Sequence, residues 1–167
     1  MNQPNAKVAE EGFERFEKNQ GELYLTFHLY DEEYALPITE VIEIIGVQSI
    51  TKIPDMPDCI SGIINLRGRV IPVMDVRLRF NLPHQEYNER TCVIVVEINK
   101  QTIGLVVDQV NEVIEISPSQ IEPPPQCGQE SDFIAGIGKV ENDVKIILDV
   151  QSLTDFGDMR LDTPITN

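Results

Sequence analysis

Displaced by 69 positions, ELYLTFHLYDEEYALPITEVIEII (22–45) falls on TCVIVVEINKQTIGLVVDQVNEVI (91–114) without a gap. Leu36 then meets Leu105, Val41 meets Val110 and Glu43 meets Glu112. Displaced by 74, SGIINLRGRVIPVMDV (61–76) falls on AGIGKVENDVKIILDV (135–150), with Gly62 on Gly136 and Asp75 on Asp149. Two ungapped blocks in the same order indicate an internal repeat. The expected organisation is a flexible arm over 1–21, one unit over 22–85, a second over 86–154 and a tail over 155–167. Units that small are hard to stabilise alone, and sharing an interface eases that difficulty. Their junction is a natural groove for a ligand or partner.

Each unit reads as β-structure. LYLTFHL puts Leu23, Leu25, Phe27 and Leu29 on one face, the period of a half-buried strand, and Asp31-Glu32-Glu33 then reads as a turn. VIEIIGV, GIINL, VIPVMDV, CVIVVEI, IGLVVDQV and VKIILDV are short, β-branched and bounded by Gly, Pro, Asn or Asp. Many such runs at short spacing indicate an all-β sandwich or barrel. TEVIEII and DQVNEVI fit either a strand or a single helical turn. VQSLTDFGDMRL spaces Val150, Leu153 and Phe156 by threes, which predicts a short C-terminal helix.

Charge narrows the partners. With 28 acidic against 13 basic residues, the net charge is −15, and phosphate backbones and anionic membranes are repelled. No nucleic acid is expected, and no membrane insertion, because the apolar runs are far shorter than a bilayer span of about 20 residues. The N-terminus has no apolar signal-peptide core. Cys59, Cys92 and Cys127 are odd in number and form no CxxC, which fits reduced thiols in a cytoplasmic protein.

No catalytic constellation emerges. His28 points away from the apolar face of its strand, His84 sits in a loop, and neither has a companion at metal-ligand spacing. Phosphate-binding, nucleophile-elbow and dinucleotide motifs are missing, and Asp155-Phe156-Gly157 is a kinase-like triplet without the kinase's other segments. An enzyme is not expected, and neither metal nor cofactor is implied.

Arg67, Arg69, Arg77 and Arg79 crowd into thirteen residues of an otherwise acidic chain, in pairs at alternating, strand-like positions. Edge-strand arginines can serve to block sheet-to-sheet pairing and cover apolar neighbours. Guanidinium groups displayed at a turn, as Gly68 after Arg67 suggests, can equally receive an acidic partner.

DEEYALPITEVIEI, GIINLRGRVIPVMDVRLRF, TIGLVVDQVNEVIEI and FIAGIGKVENDVKIILDV together resemble the CheW family of bacterial chemotaxis coupling proteins. The NLRG-x-V-x-P-x-x-D-x-R string is its most specific part, and the resemblance runs from about Leu23 to Leu153. It implies one CheW-like domain over 22–154, built as two five-stranded SH3-like β-barrels packed together. It further implies a non-catalytic adaptor that couples chemoreceptors to a histidine kinase. The groove between the barrels takes the receptor's cytoplasmic hairpin tip, and barrel ends bind the kinase's regulatory domain. Family receptor positions fall on Val41, Glu43, Arg67, Gly68, Val110 and Val113; no kinase-contact residue is assigned. Such an adaptor is cytoplasmic and recruited to membrane-associated receptor arrays. Pro37, in ALPI, departs from the family pattern and removes a backbone donor beside the groove. Two other readings stay open: a small-ligand-binding β-barrel protein, or an adaptor of a twitching or other non-flagellar array. Arg67 also has two readings, a direct receptor contact or an internal pair with an acid such as Glu43.

Overall fold

The computed structural model describes residues 21–125 and 132–156. All of the expected arm over 1–21 but Gly21, Cys127, and all of the expected tail over 155–167 but Asp155 and Phe156 lie outside the described residues. The strands are β1 (Glu22–Leu29), β2 (Glu32–Pro37), β3 (Val41–Gly46), β4 (Ile60–Leu66), β5 (Arg69–Asp75), β6 (Cys92–Ile98), β7 (Gln101–Val107), β8 (Gln109–Ile116), β9 (Ile121–Glu122), β10 (Ile134–Val140) and β11 (Asp143–Leu148). Two one-turn helices, α1 (Val76–Arg79) and α2 (Val150–Leu153), follow β5 and β11. The all-β expectation with a short C-terminal helix holds. TEVIEII and DQVNEVI resolve into β3 and β8, with a 3-10 turn over Ile38–Glu40 before β3.

The repeat is visible strand by strand. β1, β2 and β3 correspond to β6, β7 and β8, and β4, β5 and α1 correspond to β10, β11 and α2. Even the irregularities recur. The register slips between Ile60 and Gly62 on β4, and between Ile134 and Gly136 on β10. Asp75 caps α1 by accepting from the Arg77 N–H at 3.0 Å, and its counterpart Asp149 caps α2. A short carboxylate at this place satisfies helix N–H groups that have no partner within the helix.

The contiguous division at 85/86 does not describe the sheets. One sheet runs β8-β1-β2-β11-β10-β9 and the other β3-β6-β7-β5-β4. Each repeat therefore gives its first hairpin to one sheet and the rest to the other. The repeats meet in each sheet at one antiparallel pairing, β1 with β8 or β3 with β6, and at one parallel pairing, which puts Ile147 beside Ala35 and Val73 beside Gly104 at equivalent places. Alternation along a sequence reports the faces of a strand, not its neighbours, so this exchange leaves no mark in the pattern.

Three apolar cores follow from the alternation. Val73, Val93, Val95 and Val106 fill one barrel, and Tyr24, Ala35, Ile116 and Ile147 the other. The largest core joins the two: Leu25, Phe27 and Leu29 of β1 pack in it with Ile94 and Val96 of β6 and Leu105 of β7. β1 is accordingly covered on both faces, since Tyr24 and Thr26 are buried as well, and only Leu23 of its predicted face is exposed. The turn after β1 falls on Tyr30 and Asp31, so Glu32 and Glu33 already belong to β2. Pro37 ends β2 and begins the 3-10 turn, where the ladder needs no further donor.

Arg77 and Arg79 lie on α1, not on a strand, and both turn inward. Arg77 Nε bonds Asp108 Oδ1 at 2.6 Å, a second nitrogen reaches Asp108 Oδ2, and the guanidinium lies 4.3 Å over the Tyr30 ring. Asp108 is the link between β7 of one sheet and β8 of the other, so this pair ties the two barrels. Arg79 bonds the Leu153 and Asp155 carbonyls and sits between the rings of Phe133 and Phe156. Half of the arginine cluster is therefore internal bracing.

Candidate functional site

β3 and β8 are edge strands of their sheets and occupy equivalent positions in the repeat. On β3, Val41 and Ile44 pair with Val96 and Ile94; on β8, Val110 and Val113 pair with Phe27 and Leu25. All four cross-strand partners belong to the shared core. Directly opposed side chains share a face, so these four residues extend that core toward the surface. Val41 and Val110 are half-buried against it, while Ile44 and Val113 are 41% and 49% exposed. Each edge strand carries a register slip beside these residues, between Val41 and Glu43 and at the equivalent point of β8, which leaves Ile42 exposed too. The space between the barrels is thus filled by apolar side chains, and the junction offers a surface stripe.

Glu43 stands on the opposite face of β3, beside Val95. The two-residue turn between β4 and β5 closes on Leu66 paired with Arg69, and both central residues have positive φ, 53° at Arg67 and 86° at Gly68. Such a turn matches the twist of a hairpin but suits glycine and asparagine, and arginine there is strained. The Asn65 side chain holds the turn by accepting from the Gly68 N–H at 2.8 Å. From it the Arg67 fork reaches Glu43, with Nη1 2.7 Å from Oε1 and Nη2 2.9 Å from Oε2. The pair joins the β4–β5 tip to β3, the two edges of the five-stranded sheet. Arg67 stays 75% exposed at its side chain while Glu43 is 19% exposed. Arg69, the next cation, bonds Thr102 Oγ1 at 3.2 Å.

Of the six expected residues, Glu43, Arg67 and Gly68 gather at one barrel's rim, and Val41 joins Val110 on the shared core. Val110 and Val113 belong to the other sheet and do not meet Arg67. Sequence reasoning missed Ile42 and Ile44: exposure alternates along β3, but the apolar run VIEIIG does not show it.

Two polar clusters lie apart from this surface. The Tyr87 hydroxyl donates to the buried Asp75 carboxylate at 2.8 Å, and burial foremost pushes its pKa up to about 12. His84, expected to be alone, has Nδ1 3.7 Å from Asp75 Oδ2. Beside them opens a surface cavity of about 470 Å³ with Met56, Ile60 and Leu78 in its wall. Glu33 meets Lys145, Asn111 at 3.1 Å and His28 at 3.7 Å, and so links β2 with β11, β8 and β1. The described residues include no group of three or more His, Cys, Asp and Glu fit to hold a metal ion. None of their helices is long and apolar enough to cross a membrane.

Comparison with known proteins matches residues 23–156 to the CheW-like domain. The chain is 34% identical over 143 residues to the chemotaxis protein CheW of Klebsiella aerogenes, covering 84% of this chain and 86% of that one. It is 36% identical over 137 residues to CheW of Bacillus subtilis, covering 81% and 88%. Among solved structures, the scaffolding protein TtCheW of Thermoanaerobacter tengcongensis superposes with a TM-score of 0.77 at 40% identity, covering 81% of this chain and 94% of that one. The chain belongs to the CheW-like family.

Proposed function

We propose that this protein is a non-catalytic adaptor that couples chemoreceptors to a histidine kinase in bacterial chemotaxis signalling. The observation that carries the reading is Arg67: a strained, largely exposed arginine, held by Glu43 on a turn that Asn65 fixes through the Gly68 N–H, at a barrel rim whose edge strand displays Ile42 and Ile44. Backbone strain persists where surrounding structure over-determines it, and it collects at functional sites. An exposed guanidinium fork beside apolar side chains suits an amphipathic helical partner with a carboxylate at its edge.

The receptor's cytoplasmic hairpin tip docks on Val41, Val110 and Val113, with Arg67, Gly68 and Glu43 at one end. The kinase's regulatory domain binds elsewhere, at barrel ends, which leaves the receptor surface open. Each contact is modest, and many acting together on a membrane-associated array hold the assembly through effective concentration. Receptor state alters kinase output to the extent that the adaptor's contacts differ between the two states.

The test is a ternary complex. Purified protein mixed with the kinase and a receptor signalling fragment should sediment as one three-component species and change kinase autophosphorylation. Competition between the two partners for the protein would sink the adaptor reading. A small-ligand protein, by contrast, needs an open pocket at the junction, where the shared core now packs.

A further inference from the structure

The docking surface is built twice. Under the repeat, Val41, Glu43 and Ile44 of β3 correspond to Val110, Glu112 and Val113 of β8. Ile44 and Val113 are exposed to similar degrees. The β4–β5 tip has its counterpart in the β10–β11 tip, which also closes on two residues, Val140 paired with Asp143. Glu141 stands at the place of Arg67 and shares its left-handed backbone, with φ of 59° against 53°. The charge is reversed, and Asn142 stands at the place of Gly68 without its positive φ. One tip reads Arg67-Gly68-Arg69, the other Glu141-Asn142-Asp143.

A partner lying along two equivalent apolar stripes can in principle lie in either direction. We propose that Glu141 is a specificity-determining residue that fixes the polarity of docking, by repelling at the second tip the same acidic end of the partner that Arg67 accepts at the first. The inference rests on the docking reading above. Discrimination of this kind needs a repulsive element as well as an attractive one, and like charges brought together on desolvation supply it. Glu112 holds the place in the second repeat that Glu43, the partner of Arg67, has in the first.

The experiment titrates the full chain and three variants with a receptor cytoplasmic signalling fragment by calorimetry, with melting curves beside. Arg67→Ala should weaken binding about tenfold or more, the loss of one charge-assisted bond. Adding Glu141→Arg to that variant should restore most of the lost affinity, through docking in the reverse direction. The control R67A/E89R makes the same charge change at an exposed loop position and should restore none. No recovery in a folded R67A/E141R protein overturns the inference, and so does an equal recovery in the control. Should R67A/E141R fail to fold, R67A/E141K puts the same charge through the same test. Failure of the underlying reading looks different: the unsubstituted chain does not bind, or Arg67→Ala binds as well as it does.

Discussion

Both terminal nitrogens of Arg67 engage both carboxylate oxygens of Glu43, at 2.7 and 2.9 Å, yet the arginine side chain remains 75% exposed. An internal partner and a free face therefore coexist. The internal pair with Glu43, one of the two readings open from sequence, leaves most of the Arg67 side chain open to solvent.

Exposure decides what Arg67→Ala should do. Exposed ion pairs contribute about 0–1 kcal/mol to stability, so the melting temperature should move little. Receptor binding should weaken by about 1–3 kcal/mol, because the bond to a partner forms as the site loses water. Arg67→Lys should recover little, since an ammonium lacks the planar fork. Kinase binding should hold. Calorimetric melting and two titrations check this, and joint loss of stability and both affinities would assign Arg67 to bracing alone.

Arg77 should behave in the opposite way. It is buried, shares two bonds with Asp108 and joins the barrels. Arg77→Ala should destabilise the fold by about 3 kcal/mol, because Asp108 loses its ionic partner and keeps only the Tyr30 N–H. Arg77→Ala with Asp108→Ala should cost less than the sum of the two single changes, because neither charge is then stranded. Chemical denaturation of the four proteins closes the cycle, and strict additivity would mean the pair does not couple the barrels.

These two arginines also mark what was legible. Glu43 entered only through the family resemblance, whereas the repeat and the strands could be read off periodicity and spacing. The pairing of the strands could not. β2 lies beside β11 and β5 beside β7, and nothing in a strand's alternation names its neighbour. Arg77 and Arg79 looked strand-borne because the helix that carries them is a single turn capped by Asp75, too short to show a helical period. Exposure of Ile44 and Val113 was hidden for the same reason: an edge strand and a central strand alternate alike.

Gly62 tests the crowding at the slip in β4. Its φ is 148°, and a Cβ there would stand 2.1 Å from the Thr51 carbonyl oxygen, whose carbonyl accepts the Ile63 N–H at 2.8 Å. Both backbone conformation and space reserve the position for glycine. Gly62→Ala should destabilise by about 2 kcal/mol or more and loosen the 50–53 segment. Gly68→Ala meets no neighbour within 4 Å and is limited to the backbone penalty of its φ of 86°. Denaturation midpoints should rank Gly62→Ala well below Gly68→Ala, and the reverse order would contradict the geometry.

Glu40 should make stability fall with rising pH. It lies in the 3-10 turn that leads from β2 into β3, with one carboxylate oxygen buried and without a hydrogen-bond partner among the described residues. Burial foremost, and then the charge of Asp149, raise its pKa above the ordinary 4.5. Between that ordinary value and the raised one, the folded chain holds a proton that the unfolded chain has released. Fewer protons bound in the unfolded state means that unfolding becomes easier as pH rises through this window. Below 4.5 both states are protonated and the effect vanishes; above the raised value it is constant. Glu40→Gln supplies a neutral side chain of the same shape, as Gln109 does at the equivalent place in the second repeat. The variant should melt higher than the unsubstituted protein at pH 7 and at nearly the same temperature at pH 4. A gain of equal size at both pH values would trace the effect to packing, and no gain at pH 7 would show that the carboxylate is not strained by its burial.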